Sequence, residues 1–459
     1  MTSWIEKNIS KNLFISGKNY QYNFEEYFDL LLKYYNFAKK NIKKNEKVVF
    51  ISNSVLEYSI FSILIPMVGG IFVPMNPKSP VNEIKKKMEI IQCKKIIYDK
   101  SIKLEEIENK IQISSEKLVP KNYKFEYISA DQVYCILFTS GSSGIPKAVN
   151  ISRKNIETSC EISQLNLQVE KSDSWLLCMP PFHAGGLSII FRSVILGNKF
   201  HIEDHFVADN VINLIMSEKI NIISMVPNML NRIVNEMEIK KISAPKSFKF
   251  ILCGGARTSE DLILRANKIG LKTLPTYGMT ETSSQIATAS PNDNERPKNS
   301  VGKLLEKVSI DFSSESEILI SGDFVAKYYG KKDNSKWLYT GDYGYIDKNN
   351  YLFISGRLDD LIISGGENIN PIEIEEIINK LDYIDECIVV GKKDEYWGEK
   401  VTAVVFSEKN IKLDEIKGSL ENIDNFKHPK SIINYKKALP KLQNGKFDRK
   451  KIKEIINEL

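Results

Sequence analysis

Residues Thr139 to Lys147 read TSGSSGIPK and concentrate hydroxyls, glycines and one lysine in a stretch with little other structural use. That composition suits a loop that grips phosphate. Gly141 and Gly144 let the backbone take positive φ and approach a ligand, while Thr139, Ser140, Ser142 and Ser143 offer hydroxyl and amide donors to anionic oxygens. Lys147 adds positive charge. The preceding Val133 to Phe138 reads as a short strand, so the loop leaves a strand end, a common ligand position in α/β proteins. A Walker A loop is excluded, because that motif needs Gly-Lys-Ser/Thr opening a helix and Pro146 occupies the place of its second glycine. Taken in isolation, the plainer reading of the segment is a flexible Ser/Gly surface loop.

Four further stretches follow in order: YGMTETSSQ from Tyr277, WLYTGDYGYID from Trp337, FISGRLDDLIISGGENINPIEIE from Phe353 and LPKLQNGKFDR from Leu439. With the serine-rich loop, their order and spacing resemble the acyl-adenylate-forming superfamily of acyl-CoA synthetases, amino-acid adenylation domains and luciferases, over nearly the whole chain. The resemblance implies ATP, Mg²⁺ and coenzyme A as cofactor and co-substrates, and a small-molecule carboxylic acid as the group activated.

Nucleotide chemistry needs an adenine slot, a ribose anchor, phosphate donors and a divalent metal, and each has a candidate. Cys253 to Ala256, CGGA, follows a strand-like run, and the absence of side chains at Gly254 and Gly255 lets a flat base lie against the backbone, with Tyr277 able to stack on it. By resemblance, Gly254, Gly255, Ala256 and Tyr277 form the adenine slot, and Gly278 and Met279 are further nucleotide-binding residues. Asp342 of the TGD turn is an acceptor suited to ribose hydroxyls, and the resemblance makes Arg357 a second ribose contact. Their plainer readings are a turn-capping aspartate and a surface ion-pair arginine. Thr280 supplies a hydroxyl for the α-phosphate, and Glu281 a hard oxygen ligand for Mg²⁺.

Lys446, within PKLQNGK, is singled out only by that motif in a lysine-rich chain. An ammonium between the substrate carboxylate and the α-phosphate offsets the repulsion of two anions and stabilises charge developing at phosphorus. The resemblance further implies a hinge at Asp359. Rotation there withdraws the lysine and brings Ser364, Gly365 and Gly366 toward a pantetheine tunnel.

Substrate choice falls to Met179 through Ile195, MPPFHAGGLSIIFRSVI. No aspartate stands there to hold an α-ammonium, as amino-acid adenylation domains require. His183 lies between two prolines and two glycines, on a rigid loop; Arg192, nine residues on, would be carried to the side of the pocket by a helix from Gly186. PFHAGGLSIIFRSVI, SMVPNMLNRIVNE and YGMTETSSQIAT resemble the o-succinylbenzoate-CoA ligases of menaquinone biosynthesis. The implied substrate has two carboxylates and a ketone, so Arg192 would hold the aromatic carboxylate and His183 would hydrogen-bond near the ketone. Pro181 and Ala184 depart from that family, removing one pocket hydroxyl. Ligases for another aromatic or medium-chain acid, and a stand-alone domain loading a carrier protein, share the nucleotide motifs. A degenerate nucleotide-sensing module would be expected to have lost Lys147, Thr280, Glu281 or Lys446, and all four are present.

The elements that must position these residues are legible in outline. A chain of 459 residues with 42% hydrophobic content exceeds one typical domain. Before Arg357, strand-like runs such as Lys47 to Ser52, Trp175 to Met179 and Phe250 to Cys253 alternate with helical stretches, which argues for an α/β fold of helix-covered parallel sheets. After it the pattern restarts as a small α+β unit: helix Pro371 to Lys380, strands Glu386 to Gly391 and Lys400 to Ser407, then two more helices. The expected organisation is a large N-terminal AMP-binding and acyl-substrate domain, residues 1–358, and a mobile C-terminal lid, residues 359–459. A net charge of +6 from interspersed Lys, Arg, Asp and Glu suits anion chemistry, with no nucleic-acid partner. The six scattered cysteines point to reduced cytoplasmic thiols. The most apolar run, Ile60 to Met75, is broken by Pro66, Gly69 and Gly70 and reads as a buried helix and strand, with no membrane insertion.

Overall fold

The computed structural model of the protein describes residues 4, 8–104, 107–139, 146–330, 335–441 and 447–458. The chain divides into two compact units. The first comprises Met1–Ser309, Ile320–Leu338 and Lys348–Leu352; the second comprises Ile310–Leu319, Tyr339–Asp347 and Phe353–Leu459. This division is discontinuous in sequence and gives the second unit two stretches that precede residue 353.

Two sheets organise the first unit. In one, six strands run parallel in the order Thr273–Met279, Phe250–Cys253, Ile222–Met225, Ser174–Leu177, Lys199–Ile202, Leu13–Gly17. Antiparallel strands flank them: Ser284–Thr288 on one side and Tyr20–Asn23 on the other. In the other, Val133–Thr139, Ile71–Pro74, Lys47–Ile51, Lys95–Tyr98 and Lys110–Gln112 are parallel. Lys147–Ser152 and Lys327–Tyr328 complete it antiparallel. Mostly parallel sheets covered by helices are the architecture that the alternation of runs led us to expect.

These strands are apolar on consecutive residues because both of their faces are buried. Val48 and Phe50 point into one core, whereas Val49 and Ile51, one residue out of phase, point into another. Trp175 and Leu177 likewise face the first core while Leu176 faces a third. The shared core joins residues of both sheets to the helices Val55–Met67, Arg153–Leu167 and Ala184–Leu196. Val55–Met67, followed by the Ile71–Pro74 strand, is the buried helix and strand that the apolar run suggested.

The second unit centres on the long antiparallel pair Glu386–Asp394 and Gly398–Phe406. One face of this pair, with Cys387 and Val389, packs on helix Pro371–Ile378; the other, with Ile388 and Val390, packs on helix Arg449–Glu458. Three features of this half go beyond the sequence reading. A parallel strand, Ser431–Asn434, pairs with Gly398–Phe406. A tight hairpin joins Ile362–Ser364 to Glu367–Ile369. Four strands, Ser309–Phe312, Glu317–Ser321, Leu338–Ile346 and Leu352–Arg357, form a sheet of their own. The first two involve strands of three or four residues, too short to give a period-2 signal.

A buried ion pair ties this unit together. Arg449 grips Glu375 through two parallel contacts of 2.8 and 3.0 Å, with Asp360 at 3.5 Å. Glu375 also accepts the Val389 amide at 2.6 Å. Burial pushes the Glu375 carboxyl up from its usual range, opposed by the charge of Arg449. Removing one partner strands the other, so Arg449→Met is expected to cost about 3–5 kcal/mol. Amide exchange in the Glu386–Asp394 strand reads this out, with protection falling by the corresponding factor.

Candidate active site

The strand Thr273–Met279 ends in a 3-10 turn, Thr280–Thr282, and reverses into Ser284–Thr288. The reversal is tight: a Cβ on Gly278 would stand 1.9 Å from the Ser284 carbonyl oxygen, so only glycine fits. Ser283 and Ser284 follow at φ 59° and 151°, conformations that L side chains rarely adopt. Side chains hold them there. Thr282 Oγ1 donates to the carbonyls of Met279 and Ser284 at 3.0 and 2.9 Å, Ser283 Oγ donates to Phe324 O at 3.1 Å, and Ser159 Oγ donates to Ser283 O at 3.3 Å.

This turn presents Thr280 and Glu281, both half-buried, next to the end of the Val133–Thr139 strand. One oxygen of Glu281, Oε1, accepts the Tyr328 hydroxyl at 3.0 Å and is approached by Thr139 Oγ1 at 3.5 Å. The other carboxylate oxygen has no hydrogen-bond partner among the described residues. A half-buried carboxylate that accepts from hydroxyls on one oxygen fits the way Mg²⁺ is held by one or two carboxylates plus substrate phosphates. Thr139 and Lys147 are cross-strand partners at the base of the hairpin joining Val133–Thr139 to Lys147–Ser152. Ser140, Gly141, Ser142, Ser143 and Gly144 lie outside the described residues. Lys147 extends its ammonium over the Tyr328 ring, 5.7 Å from the centroid.

Gly254, Gly255 and Ala256 leave the end of the Phe250–Cys253 strand, beside the parallel strand that carries Tyr277. A Cβ on Gly254 would meet the Thr276 side chain at 2.5 Å, and Gly255 sits at φ +77°. Both glycines are therefore required, and they leave bare backbone beside Tyr277, as a flat base requires.

The stretch from Met179 to Ile195 folds as a loop and then a helix, Ala184–Leu196, which starts two residues earlier than Gly186. Pro181 disfavours helical backbone at Pro180, and the extended backbone of His183 marks the cap. His183 occupies the position just before the helix, its imidazole open to water but set in a recess dense with protein atoms. This burial, with the nearby Lys87 charge, holds its pKa below the usual histidine value. Ala184, Leu187, Ser188, Phe191 and Arg192 share one face of the helix and line a narrow recess with Ser159, Cys160 and Ser283.

Arg192 is 2% exposed. Its guanidinium donates to Ser284 Oγ at 2.8 Å and lies over the Trp175 ring, 5.4 Å from the centroid, while its Nε has no hydrogen-bond partner. It makes no ion pair among the described residues. Burial pushes its pKa down from the usual arginine value.

In the second unit, Arg357 Nη1 lies 3.3 Å from Asp342 Oδ1 and donates to Thr340 O at 3.2 Å, and Nη2 lies 3.9 Å from Asp359. Asp342 is buried and Arg357 about half-exposed. The two expected ribose contacts and the expected hinge residue are thus gathered into one charge cluster. Ser364, Gly365 and Gly366 form the hairpin between Ile362–Ser364 and Glu367–Ile369, with both glycines at positive φ and the Gly365 amide donating to Trp397 O at 2.8 Å. Lys446 lies outside the described residues. Ser284, Tyr328 and Lys87 escaped sequence reasoning. Ser284 had a weak signal in the hydroxyl run after Glu281, whereas the other two reach the site only through the fold.

Residues 3–329 match the family described as AMP-binding enzyme, and residues 373–446 its C-terminal domain. A 2-succinylbenzoate–CoA ligase from Listeria monocytogenes is 32% identical over 475 residues, covering 99% of both chains. Among solved structures, o-succinylbenzoate CoA synthetase (MenE) from Bacillus subtilis in complex with the acyl-adenylate intermediate OSB-AMP is similar, at a TM-score of 0.88 and 26% identity over 98% of this chain and 97% of that one. The same enzyme in complex with ATP and magnesium ion gives 0.89 at 26% identity, over 98% and 99%.

The surroundings of His183 carry a pH signature. Burial and Lys87 both disfavour the imidazolium, so the ring is neutral above its unfolded pKa of about 6.5. Its contribution to stability is present above that value and is lost as pH falls toward the lower folded pKa. In Lys87→Met the His183 pKa is expected to rise toward 6.5, followed by NMR through the ring Cε1 proton. An unchanged value would assign the whole depression to burial.

Proposed function

The chain belongs to the AMP-binding enzyme family, and from that premise we propose how its residues divide the chemistry. It is an AMP-forming acid–thiol ligase that uses ATP, Mg²⁺ and coenzyme A to convert 2-succinylbenzoate to 2-succinylbenzoyl-CoA through an acyl-adenylate. The substrate carboxylate attacks the α-phosphorus of ATP and releases pyrophosphate; the thiolate of coenzyme A then attacks the acyl carbon and releases AMP.

Thr139, Lys147 and residues 140–144 grip the phosphates, with the Thr280 hydroxyl on the α-phosphate. Glu281 holds the metal, which neutralises phosphate charge when bound. Gly254, Gly255, Ala256 and Tyr277 form the adenine slot, Gly278 and Met279 are further nucleotide-binding residues, and Asp342 and Arg357 hold the ribose. Lys446 stabilises charge at the α-phosphorus during adenylation. Asp359 is the hinge about which residues 359–459 turn relative to residues 1–358, exchanging Lys446 for the Ser364–Gly366 hairpin as thioesterification begins.

Arg192 carries the substrate reading. A guanidinium stays charged even when its pKa is depressed, and leaving a buried charge unpaired costs several kcal/mol. A second carboxylate on the substrate supplies the missing anion, with the aromatic carboxylate on Arg192 and His183 hydrogen-bonding near the ketone. A fatty acid or benzoate brings no such second charge. The reaction partners are small molecules; no helix among the described residues is long and apolar enough to cross a membrane. We place the enzyme in the cytoplasm, where ATP and coenzyme A are held, with no nucleic-acid partner.

Pyrophosphate release measured with 2-succinylbenzoate, benzoate, medium-chain fatty acids and amino acids is expected to select 2-succinylbenzoate, with the CoA thioester confirmed by mass. In Arg192→Gln the KM for that acid is expected to rise by roughly tenfold or more, as a lost charged hydrogen bond gives, while the KM for ATP holds. Turnover of a monocarboxylate with equal efficiency would reject the Arg192 assignment, and thioester formation only on a carrier protein would replace coenzyme A as acceptor.

The two half-reactions separate the remaining roles. Lys446→Ala is expected to abolish adenylation while sparing thioesterification of supplied adenylate, and Asp359→Pro to impair the second step selectively by fixing the hinge backbone. Equal loss of both steps in Lys446→Ala would sink the division of labour.

A further inference from the structure

We propose that Tyr328 is a positioning residue that aims the Glu281 carboxylate at the metal and steadies Lys147 on the opposite side of the phosphates. The proposal rests on the assignment of Glu281 as metal ligand. Tyr328 lies 47 residues from Glu281 along the chain, in a two-residue strand, Lys327–Tyr328, paired antiparallel with Lys147–Ser152. The pairing sets Tyr328 opposite Val149, two residues beyond Lys147. The Ala326 amide, two residues before it, donates to the Glu281 carbonyl at 2.8 Å, fixing this strand to the 3-10 turn.

The single side chain then serves two functions. Its hydroxyl donates to Glu281 Oε1 at 3.0 Å, occupying one carboxylate oxygen and leaving the other available. A carboxylate on a surface turn would otherwise rotate about its last torsion, and a hard cation would have to select one orientation from several. Its ring face carries the Lys147 ammonium at 5.7 Å, within the range of a cation–π attraction. A metal ligand and a phosphate cation of opposite charge are thereby held apart by one aromatic ring, instead of collapsing into an ion pair with each other. Among the described residues Lys147 and Glu281 form no ion pair.

The two functions separate by substitution. Tyr328→Phe removes the hydroxyl and keeps the ring; Tyr328→Leu removes both. Binding is measured by calorimetry on the full-length protein with ATP alone, without acid or coenzyme A, once with excess Mg²⁺ and once with EDTA. Tyr328→Phe is expected to weaken Mg·ATP binding by roughly tenfold, the scale of one hydrogen bond to a charged group, and to leave metal-free ATP binding unchanged. Tyr328→Leu is expected to weaken both. Added to Glu281→Gln, Tyr328→Phe is expected to cost nothing further, because the carboxylate it aims is already gone.

Equal weakening with and without metal in Tyr328→Phe, no change in either, or full additivity with Glu281→Gln would each overturn the proposal. If Glu281→Gln itself leaves the metal-dependent gain in affinity intact, the metal assignment of Glu281 fails, and this inference with it. If Glu281→Gln abolishes that gain and Tyr328→Phe does not touch it, only the role of Tyr328 is rejected. Matching thermal unfolding midpoints for the wild type and Tyr328→Phe separate the effect from misfolding.

Discussion

The proposed metal ligand Glu281 and the proposed acid-holding Arg192 both lean on one tight reversal, residues 279 to 284, where two strands come closer than any side chain on Gly278 would allow. The two serines that follow are held in backbone conformations costing on the order of 1–3 kcal/mol each. The hydroxyls of Thr282, Ser283 and Ser159 over-determine the turn. Strain of this kind persists only where surroundings enforce it. Here it points Glu281 toward the hydroxyls of Thr139 and Tyr328 on one side and offers the Ser284 hydroxyl to Arg192 on the other. Glu281 and the Ser284–Arg192 contact thus share a single rigid element, so in the proposed division of roles the metal side and the acid side of the reaction are set by the same few torsions.

Arg192 shows how a fold can hold a charge ready for a ligand. Its helix begins only after two prolines, and its inward face alternates small and large residues: Ala184, Leu187, Ser188, Phe191. The guanidinium at the end of this row lies over Trp175 and bonds one serine, which partly compensates its desolvation without neutralising it. A protein-borne carboxylate at that point would stabilise the arginine and close the site to an anionic substrate. The unpaired state is less stable and more selective, the ordinary exchange of stability for function.

The second unit repeats the principle with the opposite balance. Its arginine, Arg449, is largely buried and paired with Glu375, and stands three residues beyond Lys446, the lysine proposed for adenylation. Arg357, Asp342 and Asp359 gather into a looser cluster around the proposed hinge, where the exposure of Arg357 and Asp359 keeps their contact weak enough, in the proposed mechanism, to exchange for ribose hydroxyls or for a new backbone angle.

The sequence by itself determined the chemistry and most of the elements. Glycines and hydroxyls at 139–147, the Thr280–Glu281 pair, the CGGA run and the strand–helix alternation are local signals, because phosphate binding, base stacking and both-face burial each demand residue types within a few positions of one another. Tertiary structure decided what is non-local. It brought Tyr328 to Glu281 and Ser284 to Arg192 across 47 and 92 residues. It brought the Lys87 charge near enough to His183 to lower its pKa, and it drew four strands between Ser309 and Arg357 into one sheet while Lys327–Tyr328 joined another. No periodicity encodes these pairings, since each residue is an unremarkable tyrosine, serine or lysine in its own segment. The register of the sheets and the tight reversal at Gly278 bring Tyr328 to Glu281 and Ser284 to Arg192 within bonding distance.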